Sequence, residues 1–481
     1  MQSDQKKEYN IVKNIVYSTL STLTTFFLFI LLTFVSRILG KEEYGIFTTG
    51  LAIATIFEMF TDFGLRDLSV RNVSRQKNLT ELYIGNIFVW KSLLCLVVYA
   101  VMLAIVMLMG YDSQTKLVIY ILTFSAFLKN MKYTFRLFFQ AHDYFGWDTV
   151  LVFFERTALL VVGLAVLFHW KGLLAFTIAF AGVRFIDFIV TMAILRLRIA
   201  PIKLKFDFTF MKNLQIEALP LGIFFVILTI FSYIDTVMLS LMRGFGDVGL
   251  YNAAYKLYEG ITIIPTIFWL VILPRLSELY TTNPGHHKRL AVKSVKYMFV
   301  AGIPTLTYGI LFSEFLIMFF FKGEFMPAVR TLQILFVGIA FQYPNWMINS
   351  TLISMNKQRV IVFLGLGGLV FKIAANVTLI PFYGYNGSAI ATVLAEFLTF
   401  TGATIYLYRH QLKLPVLSLA VKPILASALI IIVFKYLNVI SLLPLILLSG
   451  ILYVSAIFIL KTFDRDEINV IYENFQVMFK K

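Results

Sequence analysis

The segment LVIYILTFSAFLKNMKYTFRLFFQ, residues 117–140, decides how the chain is read. Its uninterrupted apolar part, Leu117 to Leu128, has 12 residues. At 1.5 Å per residue that reaches only about 18 Å, short of the roughly 30 Å hydrocarbon core of a bilayer. A helix crossing here must continue through Lys129, Lys132 and Arg136, which share one face with Tyr133 and Gln140. Three cations with no acid nearby on the same helix repel one another unless water or an anion is present. Arg136, near the cytoplasmic edge, can snorkel to water; Lys129 lies about 18 Å from Ala141 along the axis, too deep to do so easily. Intramembrane charges cost at least about 2.5 kcal/mol each near the centre by insertion scales, and they mark a cavity or a partner. The spacing therefore predicts a strip of cations lining a cavity.

The rest of the chain agrees with a membrane setting. Of its 481 residues 59% are apolar and 14% charged, with a mean hydropathy of +0.83. That excludes a soluble globular protein, a disordered chain, a collagen and a disulfide-stapled module. The formal charge of +16 would suggest nucleic acid in a soluble protein; in a membrane protein loop cations set orientation, so the partners expected are the lipid bilayer and no nucleic acid. The single cysteine, Cys95, builds neither a disulfide nor a thiolate metal site. The polar start, Met1 to Asn10, leads into a full-length span, unlike a cleavable signal peptide.

Cutting the chain at its polar breaks gives fourteen spans, from 12–36 and 44–65 at the start to 416–437 and 442–460 at the end. With both termini cytoplasmic, 26 of the 42 Lys and Arg fall on the cytoplasmic side and 8 on the other, the asymmetry that the positive-inside rule demands. The fold class expected is an all-α polytopic membrane protein of 14 transmembrane helices, with two six-helix lobes in parallel repeat plus two accessory helices. The divisions are an N-lobe at 1–200, a C-lobe at 201–412, accessory spans at 413–461 and an amphipathic cytoplasmic tail at 462–481. That tail places Ile468, Ile471, Phe475 and Met478 at helical spacing.

The repeat is carried by two external hairpins, Gly40-Lys-Glu-Glu-Tyr-Gly45-Ile-Phe47 and Gly244-Phe-Gly-Asp-Val-Gly249-Leu-Tyr251. Their offset of 204 residues covers six helices, an even number, so the copies keep one orientation, as in two-lobed transporters. All 12 prolines lie at or after Pro201, which puts bent helices in the second half; spans 7 and 8 are expected to bend near Pro220 and Pro265.

Inside the spans the lobes differ in sign. Spans 1–6 carry Lys91, Lys129, Lys132, Arg136, Arg156 and Arg184 against Glu58, Asp62, Glu155 and Asp187. Spans 7–12 carry Lys256 and Lys372 against Asp235, Glu259, Glu314 and Glu396. The first lobe suits an anion, the second a proton or small cation. Arg184 with Asp187, and Lys256 with Glu259, have the i, i+3 spacing of local ion pairs; Lys91 and Lys372 stand alone, and Glu58 and Asp62 could pair across helices with the span 4 cations.

Arg37-Ile-Leu-Gly-Lys-Glu-Glu-Tyr-Gly-Ile-Phe47, Asp62-Phe-Gly-Leu-Arg66, Asp235-Thr-Val-Met-Leu-Ser240, Val248-Gly-Leu-Tyr-Asn-Ala-Ala-Tyr255 and Tyr383-Gly-Tyr-Asn-Gly-Ser-Ala-Ile390 together resemble the Wzx-type oligosaccharide flippases, the polysaccharide transporter branch of the multidrug/oligosaccharidyl-lipid/polysaccharide exporter superfamily. The resemblance implies two lobes around a cationic cavity and alternating access that moves a polyprenyl-diphosphate-linked oligosaccharide from the cytoplasmic to the outer leaflet of the inner membrane. It implies no enzymatic activity and no cofactor beyond a coupling ion, H+ or Na+, with a polysaccharide polymerase and glycosyltransferases as possible partners. Arg37 and Arg66 join Lys91, Lys129, Lys132, Arg136, Arg156, Arg184, Lys256, Lys372, Tyr133 and Gln140 as candidate substrate ligands. Asp235, Asn376, Thr392 and Glu396 are the candidate ion-coupling set; a second acid expected on helix 11 is absent, Ile380 being nearest. The alternatives are a multidrug-type cation-coupled exporter and, from another class, a membrane glycosyltransferase or ligase, which would need external acids beyond Glu42 and Glu43.

Overall fold

In a computed structural model, which describes residues 24–142, 144–201, 203–410, 412–436, 442–464 and 467, no β-strand occurs among the described residues. The helices are α1 (Thr25–Met59), α2 (Leu65–Arg75), α3 (Thr80–Leu108), α4 (Ser113–Ala141), α5 (Phe145–Trp170), α6 (Leu173–Arg198), α7 (Phe208–Met242), α8 (Phe245–Ile261), α9 (Ile263–Thr282), α10 (Pro284–Leu311), α11 (Ser313–Phe321), α12 (Ala328–Ser354), α13 (Gln358–Tyr383), α14 (Tyr385–Arg409), α15 (Val416–Tyr436) and α16 (Leu442–Ile459). Over the described residues, spans 1 and 2 meet α1 either side of Gly40, span 8 falls on α8 with α9, span 9 on α10 with α11, and the others one per helix. Among the described residues, eight spans are long and apolar enough to cross by length and composition alone, or nine if α10 with α11, bent by 67°, is one span. The chain is an all-α multi-pass membrane protein. The expected tail helix beyond Glu467 lies outside the described residues.

Short polar side chains set several helix starts. Asp112 accepts hydrogen bonds from the backbone N–H of Gln114 and Thr115 to open α4, Asp207 from Phe210 to open α7, and Asn283 from His286 to open α10, with Pro284 as its first residue. Prolines sit inside α7 (Pro220), α9 (Pro274), α10 (Pro304), α12 (Pro344), α13 (Pro381) and α15 (Pro423). Span 8 breaks at Thr262, three residues before Pro265.

The repeat is written in the backbone. Each odd-numbered hairpin of the twelve-helix part, those expected to be external, turns through a left-handed residue: Gly40, Gly110 and Lys171, then Gly244, Lys322 and Gly384. Corresponding members lie 204, 212 and 213 residues apart. The first pair also touch each other reciprocally. A Cβ on Gly45 would meet the Phe245 carbonyl oxygen at 1.9 Å, and one on Gly249 would meet that of Lys41 at 2.1 Å. Gly45 and Gly249 are repeat equivalents, as are Lys41 and Phe245, so this is the self-complementary contact that a two-fold relation produces. Only glycine permits it.

Two compact units emerge from the packing. The first comprises residues 1–256, 317–327 and 373–388, the second 257–316, 328–372 and 389–481. In the first, α4 lies against α1 and α6, and α1 against α7. In the second, α10 packs on α12 and α15, and α15 on α16. This partition assigns α7 and most of α8 differently from a division by repeat. At one end of the second unit, Lys296 and Tyr297 on α10 donate to Glu467, tying the chain after α16 back to α10. Burial raises the Glu467 carboxyl, but hydrogen bonds from Lys296 and Tyr297 outweigh it and hold it at about 2.

Gly45→Ala is expected to destabilise the protein by about 1–3 kcal/mol through overpacking against a backbone that cannot yield. Gly182→Ala, with nothing within 4 Å of the new methyl, should be neutral or stabilising by up to about 1 kcal/mol; thermal unfolding in detergent compares them. Since the folded pKa of Glu467 lies below its ordinary 4.5, its clamp contributes above pH 4.5 and is lost as pH falls toward 2. Glu467→Gln should therefore lower the unfolding temperature at neutral pH and lack that component of the wild-type acid sensitivity.

Candidate functional site

The first unit buries a ladder of ion pairs along α4. Lys132 is wholly enclosed, its ammonium 2.8 Å from a Glu155 oxygen on α5 and 2.5 Å from Asp187 on α6. One turn on, Arg136 donates to the Asp148 carboxylate at 3.0 Å and to its carbonyl at 2.8 Å, and lies 3.5 Å from Glu155. Gln140 donates to the other Asp148 oxygen at 2.8 Å. Toward the membrane centre, Lys129 pairs with Glu58 of α1 at 2.7 Å. Lys91 of α3 pairs with Asp62 at 2.5 Å and also donates to Asn130 and Thr134. Tyr133 accepts from Arg156 at 3.3 Å and lies under Lys132 and Arg136.

This corrects the picture of an open cationic strip. Lys132 and Arg136 face packed carboxylates rather than a cavity, since taking an ammonium or guanidinium out of water costs several kcal/mol unless a counter-charge replaces the solvent. The expected local pair of Arg184 with Asp187 is also replaced: Asp187 goes to Lys132, while Arg184 lies over the Phe180 ring at 4.3 Å and donates to Ser125. Lys91 does not stand alone. The pairing of Glu58 across helices onto span 4 is as expected, whereas Asp62 chooses α3. Arg37 donates to the carbonyls of Phe319 and Phe320 at the end of α11, where a cation offsets the helix dipole. Lys256 is half-buried on α8.

Open space remains at one end of the ladder. A cavity of about 80 Å³ is lined by Glu58, Asp62, Arg66, Asn130 and Tyr133, with Gly64 and Gly222 among its wall residues. At about 30 Å³ per water it holds two or three waters. The turn at its edge is conformationally forced: Phe63 and Gly64 are both left-handed, at φ 40 and 79. It presses on α7 two residues beyond Pro220, where a Cβ on Gly222 would meet the Phe63 backbone at 2.4 Å.

The ion-coupling candidates divide between the units. In the first, Asp235 is fully buried and accepts from Tyr251 and from Asn376, each at 2.7 Å, so two of the four are together. The remaining Asn376 oxygen is buried with no hydrogen-bond partner, an acceptor that suits a small cation. In the second unit Thr392 is buried, and Glu396 accepts from Gln342 within electrostatic reach of Lys372. Among the described residues no group of three or more His, Cys, Asp and Glu is placed to hold a metal ion.

A family model described as "Polysaccharide biosynthesis protein" matches residues 11–280, more than half of the chain. The chain belongs to the polysaccharide biosynthesis protein family. Within reach of this family by sequence is a Shigella flexneri protein named "Putative O-antigen transporter", 24% identical over 167 residues that make up 34% of this chain and 40% of that protein's length. The fold is that of lipid II flippase MurJ in an inward closed conformation, with a TM-score of 0.75 at 16% identity over 92% of this chain and 99% of that one. An inward-facing multidrug MATE transporter of the MOP superfamily matches at 0.68, 13% identical, over 83% of this chain and 98% of that one. These relatives are transporters and a flippase, not enzymes.

Asp148, Asn130, Thr134 and Ser125 are site members that were not singled out from sequence. Asn130 and Thr134, one turn apart among the span 4 cations, carried a readable signal; Asp148, at the start of α5, carried none beyond its charge. Lys132→Met should cost about 3–5 kcal/mol because it strands Glu155 and Asp187. Adding Asp187→Leu should recover part of that loss, as monodisperse yield and unfolding temperature would report.

Proposed function

We propose that the protein moves a polyprenyl-diphosphate-linked oligosaccharide from the cytoplasmic to the outer leaflet of the inner membrane by alternating access, with both termini cytoplasmic, for surface polysaccharide assembly. Seven cations (Lys91, Lys129, Lys132, Arg136, Arg156, Arg184 and Arg66) gather near five acids (Glu58, Asp62, Asp148, Glu155 and Asp187) in the first unit. That excess of two positive charges is the observation that carries the reading. A diphosphate brings at least two negative charges, and charge-assisted hydrogen bonds from lysine and arginine lower its transfer cost into a low-dielectric site. Membership of a polysaccharide biosynthesis family supports a glycan as the group attached.

Within this reading Lys132 and Arg136 hold the helices in register, while Lys129, Arg66, Arg156 and Tyr133 meet the substrate. Lys91 and Arg184 add charge behind them. The lobes are those of the repeat, residues 1–200 and 201–412, with 413–461 accessory. Asp235 with Asn376, and Glu396 with Thr392, respond to the coupling ion, H+ or Na+. Glycosyltransferases supply the loaded lipid and a polymerase consumes it.

The test is translocation of a lipid-diphosphate-linked oligosaccharide in proteoliposomes, scored by accessibility of its glycan to an external lectin. Lys129→Gln or Arg66→Gln should slow it about tenfold or more, as expected for a lost charge-assisted hydrogen bond, with protein yield retained. Unchanged rates in both, or translocation of organic cations instead, would remove the reading.

A further inference from the structure

The small cavity beside Tyr133 presents a contradiction for an anion site. Of the ionisable groups on its wall, Arg66 is a cation but Glu58 and Asp62 are acids. Both acids are engaged from behind, Glu58 by Lys129 and Asp62 by Lys91. The two pairs are built differently. Lys91 is wholly buried and donates to three acceptors, Asp62, Asn130 and Thr134, so it is fixed in place and has no path to the cavity. Lys129 keeps 21% of its side chain exposed, and Glu58 is its ion-pair partner among the described residues. Glu58 also stands in the last turn of α1, one residue before the helix ends at Met59. The forced Phe63–Gly64 turn follows, seated on α7 at Gly222, beside Pro220.

Resting on the flippase reading above, we propose that Glu58 is a resident counter-ion: it occupies Lys129 in the unloaded protein and is displaced from it by a phosphate group of the substrate. A carboxylate and a phosphate compete for the same ammonium, and phosphate offers more acceptor oxygens. With Glu58 in place the cavity holds only a few waters and repels anions. With Glu58 turned away, Lys129 joins Arg66 on one side of an enlarged space, and the lining gains the charge that a diphosphate requires. The end of α1 and the turn after it are the elements that must shift. Their contact with α7 at Gly222 passes that shift to the helix beside Pro220, where bending costs less, so loading and bending are one event. The same resident carboxylate keeps an empty site from holding free phosphate weakly and unproductively.

Inorganic pyrophosphate is the probe, titrated onto the full chain in nanodiscs of neutral phospholipid, with binding read as thermal stabilisation and by ³¹P line broadening. Lys129→Gln should weaken binding at least about tenfold. Glu58→Gln should tighten it about fivefold, the upper end for a partly exposed pair, and Glu58→Asp, which keeps the charge but shortens its reach, should fall between, covering the case in which the amide variant folds poorly. Asp62→Asn should not tighten it. If pyrophosphate binds and Lys129→Gln weakens it, but neither Glu58 variant tightens it, the counter-ion role is overturned while the anion site stands. If wild type and the Glu58 variants all fail to bind, both are overturned.

Discussion

An ammonium with no solvent contact must find its neutralising charge within a few ångströms, and Lys132 finds two, Glu155 and Asp187, on two different helices. That requirement ties α4, α5 and α6 together deep in the first unit. Each of these helices alone carries a charge it could not insert cheaply. Brought together, they cancel most of it and keep a small positive remainder. Arg136 extends the same logic to the start of α5 through Asp148, and Lys129 extends it toward α1 through Glu58. The ladder therefore grades from a closed, structural end to an end with water-sized space and a partly exposed lysine.

Glycine does for the backbone what carboxylates do for the charges. Gly45 and Gly249 allow two repeat-related hairpins to meet carbonyl against Cα, and Gly222 lets the turn after α1 rest on α7. No side chain intervenes at these contacts, so small rotations of one helix are felt directly by the other. The second lies next to Pro220, where α7 lacks a backbone hydrogen bond and bends at lower cost. The Lys132 pairs thus hold α4, α5 and α6 together, while bare backbone contacts join α1 to α8 and the turn after α1 to α7.

Hydropathy and the period of the hairpins made most of the fold legible from sequence: within the described residues the expected crossings coincide with helices, span 9 with the bent pair α10 and α11, and the Gly40 and Gly244 hairpins share their left-handed turn. Positions of charge on helix faces were legible too, because spacing decides the face. Partners were not. Arg184 and Asp187 have ideal local spacing, yet Asp187 is taken by Lys132 of another helix, since two fully buried charges gain more from each other than a pair with one end able to lie on an aromatic ring. Arg37 reads as a substrate ligand in its motif, but the exposed carbonyls closing α11 claim it. Lysines 129 and 132 look equivalent in sequence and differ in burial, a distinction that depends on which neighbour covers which turn.

The central claim is that the α4 cations at the open end of the ladder exchange an internal carboxylate for a substrate phosphate. The most direct measurement is a cryo-electron microscopy structure of the chain bound to a non-hydrolysable polyprenyl diphosphate analogue. A phosphate oxygen within hydrogen-bond distance of Lys129, with Glu58 withdrawn and the Lys132–Asp187 pair intact, is the expected result. A diphosphate bound elsewhere while Lys129 and Glu58 remain paired would contradict it.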